Sequence, residues 1–193
     1  VQKALLAVLQ CGVLWLGTTA AAQATLSGDE AAALRELSAQ AGVVFAGQVL
    51  SITRTGVARN RVGRPDESGG LVIIQFRVET AIRGCGADST YMLREWGGLW
   101  VGQSPRYRVG QHLLMLLAAP GPGGLSAPAG GQDGAIPLEP MASAPGGKAV
   151  LTPDLRWIAA RSVRRPSQTA AAASRPSLEA VLALLYGAND AAR

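Results

Sequence analysis

"YRVGQHLLMLLAAPGPGGLSAP", Tyr107 to Pro128, decides how the rest of the chain is read. Its apolar run from Leu113 to Ala119 fits a buried helix or a buried strand equally well by periodicity alone. The shortness of the run and the cluster Pro120-Gly121-Pro122-Gly123-Gly124 behind it decide for a strand buried on both faces, followed by a loop. His112, the only histidine, heads that strand. A catalytic histidine needs a nucleophile and an orienting carboxylate, and no G-x-S-x-G elbow is present. His112 therefore reads as structural and half-buried rather than as a general base.

Working outward, "LVIIQFRVETAIRG" (Leu71 to Gly84) sends Val72, Ile74, Phe76 and Val78 one way and Gln75, Arg77 and Glu79 the other. "VVFAGQVLSITRT" (Val43 to Thr55) is a strand by its Val, Phe and Ile content, and "TYMLREW" (Thr90 to Trp96) is another, with Met92 and Trp96 on one face and Leu93 on the other. "GAIPLEP" and "GKAVLTP" are broken by proline and read as edge strands or β-like segments. Between Arg54 and Gly70, "RTGVARNRVGRPDESGG" lacks sustained periodicity and reads as a long basic hairpin loop.

Two helices flank the strands. "SGDEAAALRELSAQAG" (Ser27 to Gly42) has Ser27 and Glu30 at capping-box spacing, then Leu34, Leu37 and Ala41 on one face and Gly42 as a stop. "SLEAVLALLYG" starts at a capping Ser177 and sets Leu178, Val181, Leu182 and Leu185 at i, i+3, i+4 and i+7. That face needs a surface to pack on, and packing on the chain itself is the usual outcome. The segment "RSVRRPSQTAAAASRP" (Arg161 to Pro176) is a connector.

Composition agrees with a globular, mainly β chain. Hydrophobic residues make up 48% of 193 residues and charged residues only 16%, against wholesale disorder, while 24 Gly and 11 Pro imply many turns. The first residues, "VQKALLAVLQCGVLWLGTTAAAQA", combine one positive charge, an apolar stretch from Ala4 to Leu16 and small residues ending in Ala22-Gln23-Ala24. They read as a secretory signal peptide cleaved after Ala24, with an uncleaved membrane anchor or a buried helix as the competing readings. Gln10 before Cys11 does not suit a lipoprotein cleavage site. Cleavage leaves Cys85 as the only thiol, so no internal disulfide can form and the fold has to stand on its core.

The chemistry the residues support is limited. One histidine and one mature cysteine cannot build a His/Cys metal site, carboxylates lack EF-hand spacing, and no Walker or Rossmann glycine pattern appears. No metal, cofactor or catalytic residue is expected. The candidate binding residues are cationic and aromatic: Arg59, Arg61 and Arg64 in the hairpin, and Trp96, Trp100, Arg106 and Arg108 within "TYMLREWGGLWVGQSPRYR", where Tyr91, Arg94 and Tyr107 belong to the same constellation. Exposed aromatics and arginines on a small barrel stack on sugars, bases or protein side chains. The competing reading has the arginines facing water, Trp96 and Tyr107 closing the core and Trp100 covering a loop.

The order of "VVFAGQVLSI", "IIQFRVETAIRG", "YRVGQHLLMLL" and the loop "GLSAPAGGQDGAIPL" resembles the netrin-module and tissue-inhibitor-of-metalloproteinases superfamily, most closely its secreted bacterial members. The likeness spans about Val43 to Leu138. It implies a five-stranded OB-like Greek-key barrel, here with a short N-terminal helix and a C-terminal amphipathic helix. The expected layout is a signal peptide at 1–24, the barrel with its leading helix at 25–160, a linker at 161–176 and the C-terminal helix at 177–193. Inhibitors of that superfamily chelate zinc through a mature N-terminal cysteine, which Thr25 cannot do. The expectation is an exported, noncatalytic interaction module binding a protein or cell-envelope polymer through barrel loops. Nucleic acid is not an expected partner, and a membrane is one only if the N-terminal segment is uncleaved. The alternatives are an enzyme or accessory domain with an unrecognised site, or a subunit of a membrane-associated complex.

Overall fold

The strand read from "VVFAGQVLSITRT" is the hub of the fold. The computed structural model describes residues 26–56, 58–59, 65–66, 70–100, 106–141, 150–161 and 176–190. The expected signal peptide and most of the expected linker lie outside these residues. Along the chain come α1 (Gly28–Gln40), β1 (Val43–Thr55), the short pair β2 (Ala58–Arg59) and β3 (Pro65–Asp66), β4 (Leu71–Arg83), β5 (Thr90–Trp96), β6 (His112–Leu117), β7 (Ala135–Met141), β8 (Val150–Pro153), α2 (Arg156–Arg161) and α3 (Leu178–Asp190). β1 pairs antiparallel with β4 along one edge and with β6 along the other. The six-stranded sheet has the order β5-β4-β1-β6-β7-β8, and β2 pairs with β3 in the basic hairpin.

Two cores lie on opposite faces of this sheet. Phe45 and Val49 of β1 join Ile74, Phe76, Leu93 and Met115 in the first. Val44 and Ala46 join Leu114 and Leu116 in the second, beneath Leu34 and Leu37 of α1 and Val181 and Leu185 of α3. The period of two sends successive β1 and β6 residues into different cores, so both strands read as continuous apolar runs. The apolar run expected as a strand buried on both faces from Leu113 to Ala119 is one as far as Leu117, where β6 ends. Past Val49 the helices no longer cover β1, and its residues become half-buried or exposed. Where β1 serves both cores its register against β4 shifts, between Val44 and Phe45, between Ala46 and Gly47 and between Val49 and Ser51. A Cβ at Gly47 would lie 2.3 Å from the Arg77 carbonyl oxygen, so only glycine lets the two strands approach this closely.

Both helices form as their caps predict. The Ser27 N–H donates to Glu30 Oε2 at 2.8 Å and the Glu30 N–H to Ser27 Oγ at 3.2 Å, completing the capping box. At the other end of α1 the Arg83 guanidinium of β4 donates to the Ala41 carbonyl at 2.8 Å and the Ser38 carbonyl at 3.1 Å. It thereby satisfies acceptors that a helix C-terminus leaves open. Arg83 Nε also reaches Asn189 Oδ1 of α3 at 2.9 Å, and Tyr186 OH donates to the Ala81 carbonyl at 2.9 Å. The C-terminal helix thus packs on the chain itself, with Val181 and Leu185 buried. Among the described residues no helix is long and apolar enough to cross a membrane.

The mainly β expectation is met, but the sheet is not closed into a five-stranded barrel. β7 and β8, expected as edge or β-like segments, extend the sheet beyond β6, with β8 at its edge. On the other side β5 meets the segment after β6 through one parallel bridge, Arg94 to Leu125, and the Ser126 N–H donates to the Arg94 carbonyl at 2.9 Å. The same segment returns to β6, where the Ala129 N–H donates to the Leu116 carbonyl at 2.8 Å. Within the bridging segment only Pro128 lacks an N–H to donate, and the segment meets β5 and β6 through isolated bridges rather than a continuous ladder.

Candidate functional site

β5 has a buried side and an exposed side, and each gathers a different chemistry. Leu93 and Glu95 alternate inward, and Glu95 is completely buried. Gly97–Trp100 forms a 3-10 turn directly after the strand, which brings Trp100 back over it. Trp100 Nε1 donates to Glu95 Oε2 at 2.8 Å, and Tyr107 OH donates to Glu95 Oε1 at 3.0 Å. Arg106 completes the charge balance, its Nε 3.2 Å from Glu95 Oε2 as an ion pair without hydrogen-bond alignment and its Nη2 3.5 Å from Oε1.

Aromatic edges close around these polar groups. The Trp100 and Tyr107 rings meet edge-on with centroids 5.5 Å apart, and Tyr107 meets Phe76 at 6.2 Å. The Arg106 guanidinium lies 5.9 Å from the Tyr107 ring centroid, and that of Arg54 lies 5.8 Å from the Trp100 ring. Burial, and then the Glu95 charge, push the Tyr107 phenol far above its ordinary value, so it remains a donor. A buried carboxylate receiving two neutral donors and a guanidinium is a pinned structural group. It fastens the turn after β5 and the approach to β6 onto the inner core.

The outward side of β5 carries Met92, Arg94 and Trp96, with Met92 62% and Trp96 56% exposed. The Trp96 ring lies against Gly98, where a Cβ would be 2.5 Å from its Cη2. Glycine at 98 therefore lets the indole lie close to the backbone while most of it faces solvent. Arg94 Nη1 donates to the Gly123 carbonyl at 3.3 Å.

The structure divides the candidate binding residues. Trp100 and Arg106 enter the Glu95 cluster, as the core-closing alternative had it for Tyr107, whereas Trp96, expected by that alternative to be core, faces outward. Arg108 is exposed on the turn before β6, its N–H donating to Gln111 Oε1 at 3.1 Å. Arg59 lies in β2, and Arg61 and Arg64 lie outside the described residues. His112 is half-buried, its Nε2 3.3 Å from Glu79 Oε1. Cys85 is a free thiol that burial pushes above its ordinary value, against ready ionisation. No group of three His, Cys, Asp or Glu among the described residues is placed to hold a metal.

Sequence reasoning missed Glu95 and Met92 as site residues. The signal for Glu95 was the alternation of "TYMLREW", which puts Glu95 on the same inward face as Leu93. Met92 and Arg94 were marked by the same alternation as companions of Trp96. No family model, curated protein or solved structure matches the chain.

Proposed function

We infer that the chain is an exported, noncatalytic interaction module that meets its partner through the outer face of β5. The observation that carries this reading is the exposed row Met92, Arg94, Trp96 on a strand whose inward residues are sealed. Exposed Met, Trp and Arg side chains clustered together have the composition of an interface core. Glu95, the acidic group nearest this row in the chain, is completely buried and engaged by Trp100, Tyr107 and Arg106, which supports a structural rather than a catalytic role for it. Export rests on the signal-like composition of residues 1–24.

An OB-like arrangement remains part of this proposal. It is supported by the run of pairings from β5 to β4, β1 and β6, and by residues 125–129 touching both β6 and β5 around one inner core. Docking through a strand face replaces the loop-borne site expected from the sequence, because Trp100 and Arg106 are engaged inside. The test is the mass and N-terminal sequence of the native protein recovered from an extracytoplasmic fraction, with whatever companion stays bound. A start at Thr25 with a companion lost on Trp96→Ala supports the reading. A chain retaining residues 1–24, or a companion indifferent to Trp96, contradicts it.

A further inference from the structure

Resting on that docking face, we propose that its occupant is a protein surface presenting an apolar side chain flanked by carboxylates, laid flat against β4 and β5. Register places Trp96 beside Leu71, and Arg94 between Ile73 and Leu125, all facing outward with Met92. The helices α1 and α3 pack on the other core, and among the described residues neither covers Met92, Arg94 or Trp96, which are exposed. Trp96, lying against Gly98, has little side-chain freedom to lose on binding, which is the property of an anchoring residue.

Charge selects the partner. Arg94 stands in the middle of the apolar row, and covering it with apolar surface would strand a guanidinium away from water. The occupant therefore has to bring an acidic group, as the positive formal net charge also favours, +5 for the whole chain and, without Lys3, 17 − 13 = +4 from Thr25 onward. A second copy of this chain, docked face to face about a twofold axis through the middle of the row, would oppose Arg94 to Arg94, which disfavours self-association there. A polysaccharide would stack on Trp96 but offer little to Met92, which is 62% exposed, or to Leu125 at 39%.

The test is selection of a random peptide library on the immobilised full chain with counter-selection on Trp96→Ala, followed by anisotropy titration of the enriched peptides. Polygalacturonate and phosphatidylglycerol vesicles are run as parallel probes. The expected result is enrichment of sequences pairing Asp or Glu with an aromatic or aliphatic residue. Their affinity should fall about tenfold or more on Trp96→Ala or Arg94→Glu and weaken with salt. Peptides enriched without acidic residues would overturn the proposal. Trp96-dependent binding of only the polysaccharide or the vesicles would overturn the partner class while keeping the docking face. If no probe distinguishes the native chain from Trp96→Ala and Met92→Ser, with unfolding midpoints unchanged, the docking face falls as well.

Discussion

The inner and outer faces of β5 are built from alternate residues of one seven-residue strand, yet they carry opposite chemistry. Inside, Glu95 has a tryptophan N–H, a tyrosine hydroxyl and a guanidinium, and no contact with solvent. Outside, Met92 and Trp96 are large apolar side chains left in water beside Arg94. The charged residue is structural, and the apolar ones are available for binding. Residue type alone would assign the roles the other way, since carboxylates suggest chemistry and tryptophans suggest core. What decides is whether each group's physical demand is already met within the chain.

Glu95→Ala should cost about 3–5 kcal/mol, because it leaves the Arg106 charge and two donors buried without an acceptor. Urea unfolding measures this, and a loss below about 1 kcal/mol would mean that the cluster is not a structural clamp. Arg83→Met removes the guanidinium that ties the C-terminus of α1 to α3 and should cost about 1.5–3 kcal/mol by the same measurement, with α3 protected least in hydrogen exchange.

Tyr107 sharpens the inner side through pH. Its phenol titrates higher folded than unfolded, so its stabilisation is complete below the ordinary tyrosine value of 10.0 and declines as pH rises above it. Tyr107→Phe should cost about 0.5–1.5 kcal/mol at neutral pH and flatten that alkaline decline in thermal melts. The outer face should give the smallest stability effects. Met92→Ser and Trp96→Ala should stay within about 0.5 kcal/mol of the native chain while abolishing partner capture. Gly98→Ala tests the seating of the indole, since a Cβ there would displace the ring. Binding should weaken, with a change in tryptophan fluorescence and little change in stability.

Much of the architecture was legible because local patterns and burial agree. The capping box of Ser27 and Glu30, the alternation from Val72 to Val78 and the two-sided apolar run of β6 each follow from a short-range period. Closure was not legible. It turns on whether residues 125–129 make a continuous ladder with β5, a long-range pairing that no short-range period announces, and the segment makes one bridge to it. The site was half legible: "TYMLREW" sorts Met92 and Trp96 from Leu93, but the pattern does not say which side will be covered. Glu95 finds its donors at residues 100, 106 and 107 through a 3-10 turn that no period announces.

The most direct test replaces Met92 with a photo-crosslinking benzoylphenylalanine in the full-length chain, with the same replacement at Val150 on the distant β8 edge as its control. Irradiation in the extracytoplasmic fraction should give a discrete adduct from position 92 that is absent from position 150 and lost when Arg94→Glu is added. Equal adducts from both positions, or an adduct indifferent to Arg94, would contradict the assignment of the outer face of β5 as the docking surface.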